Sequence, residues 1–209
     1  MADDTSLKQK VNELAARKWN AAAIEARIKR LVMEGIPKKK LVPQTILAHR
    51  QEILDRVQRY AEENNFYLKN CAQATALALM EEFGLGSMEI IKALTPFPSI
   101  AGTGKICGGI SGSLVAFGLF FGPDKPPDPE KMKRTIRISQ QYISKFQSEI
   151  GFTFCSDILE KIVIGYRINP GESDAAMATF TAEQGFEKCG LPPGTGVRIA
   201  AGIIIDSML

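Results

Sequence analysis

Cys71, Cys107, Cys155 and Cys189 are the only cysteines of this 209-residue chain, and His49 is its only histidine. Four thiolates are what a tetrahedral metal ion or an iron–sulfur cluster takes from a protein. Two pairs of thiols can instead cycle through disulfides without metal, one attacking and the other resolving. Free cysteine is also among the most buried residue types, so four scattered ones can serve as core filler. There is no CxxC pair, and the separations of 36, 48 and 34 residues match neither zinc-finger nor ferredoxin spacing. Any shared chemistry therefore requires the fold to bring these positions together.

Their local surroundings favour polarised thiols. Cys107 opens an apolar segment among Gly108, Gly109 and Gly112, with Lys105 just before it. A helix start there offers free amides and a positive dipole end, which favour a thiolate. The three glycines let a bulky inorganic cluster or a second sulfur approach the backbone, which makes them candidate cofactor-binding positions. Cys71 follows Lys69 and Asn70, a good N-cap residue. Cys189 stands beside Lys188 near a helix end, and Cys155 follows Phe152 and Phe154 in a turn expected to be partly buried. The glycine-rich stretch from Gly102 is not a phosphate loop. A Walker loop ending at Lys105 needs glycine at Ser99 and Ser or Thr at Ile106, a dinucleotide fingerprint needs glycine at Cys107, and no strand precedes it.

The elements that must position these residues read as helices throughout. Leu7, Val11 and Leu14, then Ile24, Ile28 and Leu31, recur at helical steps, and Gly35 with Pro37 ends the pattern. Ile46, Leu47, Ile53, Leu54, Val57 and Tyr60 mark another long helix after Lys38-Lys39-Lys40. Residues 71–83 are strong helix formers stopped by Gly84, and a short helix should follow from Ser87 to Leu94. The apolar run from Ile106 to Gly122 is too short for a bilayer span and reads as a core helix. Met132, Ile136, Ile143, Phe146 and Ile150 predict an amphipathic helix, Glu172 to Lys188 a further one, and Thr195 or Val197 the start of the last. No strand alternation is present. The expectation is an all-α protein: a compact helical, bundle-like domain over residues 65–209, with a basic N-terminal helical arm or hairpin over residues 1–64.

The run Asn70-Cys71-Ala72-Gln73-Ala74, then Cys107-Gly108-Gly109-Ile110-Ser111-Gly112, then Phe154-Cys155, then Cys189 with its closing helix, resembles the C-GCAxxG-C-C family of redox-active proteins. The resemblance spans roughly residues 65–209 and departs at Gly109, where the family commonly has alanine. It implies that Cys71, Cys107, Cys155 and Cys189 form the functional set, through thiol redox or as ligands of an iron–sulfur cluster, [4Fe–4S] or [2Fe–2S]. The chain lacks the CxxCH of a covalent haem site.

Charge is divided unevenly: residues 1–60 carry net +6 and the remainder net −3. A basic front half suits an acidic protein, nucleic acid, a docking contact or simply a solvated helical face, and nucleic acid is the weaker of these partners. Acid–base catalysis has little support, because His49 lies among Leu47, Ala48 and Arg50 and the pairs Glu62-Glu63 and Glu81-Glu82 splay apart as solvated faces do. The acidic, polar N-terminus lacks a secretory pattern, which points to the cytoplasm. The leading expectation is an electron-transfer protein that holds an iron–sulfur cluster and works with a redox partner protein, with homo-oligomerisation left open. Metal-free thiol–disulfide exchange and a helical interaction module are the alternatives.

Overall fold

The structure, a computed structural model, describes residues 4–209. Helices follow in the order α1 (Asp4–Ala16), α2 (Ala21–Glu34), α3 (Pro43–Ala48), α4 (Arg50–Leu68), α5 (Cys71–Phe83), α6 (Met88–Ala93), α7 (Ser99–Gly102), α8 (Gly108–Phe121), α9 (Pro129–Ile150), α10 (Cys155–Ile158) with a π-turn over Leu159–Val163, α11 (Asp174–Ala182), α12 (Gly185–Lys188) and α13 (Leu191–Asp206). The fold is all-α. Among the described residues the extended pairing is a single antiparallel bridge between Ile106 and Phe154. No described helix is long and apolar enough to cross a membrane.

Helix α5 is the centre. Every residue of it from Ala74 to Phe83 is buried, as expected of a helix that is apolar nearly all round. It packs between α4 and α8, and α13 closes against α4, α8 and α9. Small residues set these crossings. A side chain at Gly112 would run into the Ala72 carbonyl of α5, and one at Gly109 would meet the Pro192 carbonyl of α13 at 3.0 Å. Helix α9 buries one stripe, Tyr142, Phe146 and Ile150, and the Tyr142 hydroxyl donates to the Gly109 carbonyl at 3.0 Å.

The front of the chain is built into the same core. Leu7, Val11 and Leu14 of α1 and Ile53, Leu54, Val57 and Ala61 of α4 share one apolar cluster with Cys107, Ile110, Phe117 and Val197. The division expected between residues 64 and 65 falls inside α4. Two other boundaries differ from expectation. The final helix begins at Leu191, because Pro192 and Pro193 occupy its first turn, where a missing N–H costs nothing. The helix expected over Glu172 to Lys188 breaks at Gln184, whose φ is 55°.

The acidic pairs are corrected as well. Glu62, Glu81 and Glu82 are buried rather than solvated. They do point apart, each to its own arginine. Arg17 reaches Glu62 at 2.6 Å, Arg27 bridges Glu81, Glu63 and Asn64, and Arg56 grips Glu82 through two bonds of 2.7 and 2.8 Å. Lys39 and Lys38 donate to the carbonyls of Glu82 and Gly86, both at 2.9 Å, where α5 ends and its dipole favours cations. Much of the basic bias of residues 1–60 is thus consumed inside the molecule. His49 is exposed, 3.2 Å from Glu52, as its surroundings in the sequence imply.

Candidate four-cysteine site

Four separate devices deliver the cysteines. Asn70 caps α5, its side chain accepting from the Gln73 amide at 3.0 Å, and so fixes Cys71 at the first position of the helix. Cys107 is the N-cap of α8. The bridge between residues 106 and 154 ties this N-cap to Cys155: the Cys107 amide donates to Thr153 at 2.9 Å and the Cys155 amide to Lys105 at 2.7 Å. Cys189 caps α12, one residue short of the turn into α13. Asn65 holds this corner from α4 by donating to the Phe186 carbonyl at 2.8 Å.

The result is convergence. Cys107 and Cys155 each lie within the field of Cys71, and Cys189 within the fields of all three others. Cys71, Cys155 and Cys189 line one cavity of about 340 Å³, and Cys107 is buried beside them. All four thiols are free, with no disulfide among them. Among the described residues no three His, Cys, Asp or Glu side chains are close enough to grip a single metal ion.

The electrostatics reverse one sequence expectation. Helix-start amides do point at the sulfurs: Cys71 accepts from the amides of Ala72, Gly108 and Ser99, and Cys107 from those of Gly109 and Ile110. Burial nevertheless outweighs them. It pushes the Cys71 thiol up to about 11 and Cys155 to about 12, and it raises Cys107 and Cys189 well above their ordinary value. The three cavity-lining thiols are only partly exposed, and the protein packed around them makes an isolated negative charge costly. In the free protein these are protonated thiols rather than polarised thiolates.

The glycines divide by role. A Cβ at Gly108 would overlap Cys71 Sγ and come within 2.7 Å of the Ala72 amide nitrogen. Gly108 thus lets α8 start directly against the Cys71 sulfur. Gly109 and Gly112 face α13 and α5 respectively, at the helix crossings.

Ser99 is the residue that the sequence does not reveal. Its amide and its hydroxyl favour the thiolates of Cys71 and Cys155 respectively, so one buried residue acts on two of the thiols. It achieves this through a left-handed turn in which Ser99, Ile100, Ala101 and Gly102 all have positive φ, between 45° and 72°. For the three non-glycine residues this conformation is disfavoured and survives only when the surroundings impose it. Here Gly102 is pressed backbone to backbone against Gly171, and the Ser99 carbonyl accepts from the Lys105 amide at 3.1 Å.

The fold and site define a helical protein with four convergent, unpaired cysteines beside one cavity. Residues 69–202 match the family model described as "Putative redox-active protein (C_GCAxxG_C_C)", and the chain belongs to that family. Comparison with curated proteins and with solved structures found no match.

Proposed function

We propose that Cys71, Cys107, Cys155 and Cys189 hold an iron–sulfur cluster, [4Fe–4S] or [2Fe–2S], and that the protein exchanges electrons with a partner protein. The observation that carries this reading is the meeting of four free thiols, delivered by four distant segments, three of them lining one cavity and Cys107 buried beside it. The donor set fits: four sulfurs without a histidine or carboxylate among them suit iron and sulfide. When bound, a cluster would supply one-electron redox chemistry with a potential set by hydrogen bonds and burial. The chain's own part is to orient the sulfurs, to aim the amides of Gly108, Ser99, Gly109 and Ile110 at two of them, and to keep water to one side.

Metal-free dithiol exchange is less favoured by the same site, because a high thiol pKa leaves little thiolate to attack at neutral pH. The interaction-module reading loses weight because Arg17, Arg27, Arg56, Lys38 and Lys39 already serve internal partners. The test is anaerobic purification or reconstitution, followed by the visible spectrum and by iron and sulfide analysis. Stoichiometric iron and sulfide, lost together in Cys71→Ser and Cys107→Ser, is the expected result. Full iron and sulfide in both variants would sink the proposal, and so would a colourless protein that resists reconstitution.

A further inference from the structure

The cavity over the cysteines has one charged residue in its wall. Lys69 lies there with Asn65, Asn70 and three of the sulfurs, and the outer wall is apolar: Pro96, Pro98, Met177, Phe180 and Phe186. Its position is forced. Lys69 ends α4 in a left-handed conformation, φ 55°, two residues before Cys71. Its ammonium rests over the rings of Phe66 and Phe186, 4.5 and 4.8 Å from their centres. No carboxylate of the described residues forms an ion pair with it, and Glu187 acts on it only through space. Aromatic faces hold an ammonium without neutralising it. An exposed ammonium in no ion pair with the described carboxylates, seated on two rings at the wall of a cavity that holds thiols and apolar side chains, is a recognition arrangement for an anion with an apolar body.

We propose that this cavity binds a small organic anion, its acidic group at Lys69 and its apolar body against Met177, Phe180 and the prolines, so that the ligand is presented to the sulfurs. The proposal names the ligand class of the redox site and rests on that reading for its purpose. The binding site is nonetheless tested on metal-free protein, so failure to load iron leaves the test intact.

The probes are three disulfide reagents: anionic dithiobis(nitrobenzoate), neutral dithiodipyridine and cationic cystamine. In each exchange a cysteine sulfur, its proton lost to solvent, attacks the reagent's S–S bond; a mixed disulfide forms and one reagent thiolate leaves. Rates on the folded, reduced protein are divided by rates on the same protein unfolded, which removes the intrinsic differences between reagents. The anionic reagent should lead the neutral one by about fivefold or more, and the cationic one should trail. Lys69→Met should abolish that ranking and Lys69→Arg should keep it. Lys145→Met, which removes an exposed positive charge on α9, should leave it unchanged. Equal normalised rates in the native protein would overturn the proposal without recourse to any variant. So would loss of the ranking in Lys145→Met.

Discussion

The Gly108 amide donates to Cys71 Sγ across the start of two packed helices, and the glycine leaves no room for a side chain between them. One residue thus sets both a hydrogen bond to a sulfur and the distance between α5 and α8. Gly108→Ala should cost roughly 1–3 kcal/mol of stability through overpacking, and it should lower iron content in reconstituted protein. Gly118→Ala is the contrast, since that position of α8 faces open space. There alanine should stabilise by about 0.8 kcal/mol. Urea unfolding of the two variants checks both signs.

The left-handed turn at Ser99 carries a second prediction. Ala101 is exposed with φ 55°, so glycine there keeps every contact and removes a disfavoured conformation. Ala101→Gly should raise stability by about 0.5–1 kcal/mol, the left-handed penalty less the entropy cost of glycine. Ser99→Ala keeps the turn and deletes only the hydroxyl that favours the Cys155 thiolate. If the cluster is bound, its reduction potential should fall in this variant while iron content is retained, because a hydrogen bond to a ligand sulfur favours the more electron-rich state.

Alkaline pH should weaken the metal-free protein. Burial holds the Cys71 thiol at about 11 against an ordinary 9.0, so the folded chain keeps its proton where the unfolded chain begins to lose it. The contribution is complete below pH 9 and declines as the pH rises through 11, amounting to roughly 3 kcal/mol for this thiol. Cys155, raised to about 12, acts in the same direction. Denaturant midpoints measured across that range should decline, and the decline should be smaller in Cys71→Ser.

Arg27 supplies the fourth prediction. It is nearly buried, joins Glu81, Glu63 and Asn64, and stacks over Tyr60 at 4.1 Å. Arg27→Met strands the Glu81 carboxylate and should cost about 3–5 kcal/mol. The double variant Arg27→Met, Glu81→Gln should recover part of that loss. A loss below 1 kcal/mol in the single variant would show that the pair carries little of the α2 attachment.

The helices were legible because their periodicity is strong and their stops are explicit: Asn70, Gly84 and Gly151 cap where their types predict. Convergence of the cysteines was not legible from separations of 36, 48 and 34 residues. It depends on helix crossings and on the bridge between residues 106 and 154, both of them long-range. The sign of the thiol pKa shifts was misread for a related reason. Helix-start amides are local and visible in sequence, whereas the burial that outweighs them belongs to the assembled core. Glu81 and Glu82 looked solvated because their arginines lie 54 and 26 residues away. The left-handed turn has no glycine at its first three positions, so no residue type announced it.

Helix α4 lies wholly ahead of the matched residues 69–202, yet it lies along both α5 and α13: its Asn64 donates to the Ala74 carbonyl of α5 and its Asp55 accepts from Arg198 of α13. The stretch that gives the family its signature is therefore not a portable unit. Cut free at residue 69, it would expose the buried flank of α5 to water and leave the corner at Cys189 without its tether from Asn65. In another protein it would need a surrogate for that helix before its four sulfurs could meet.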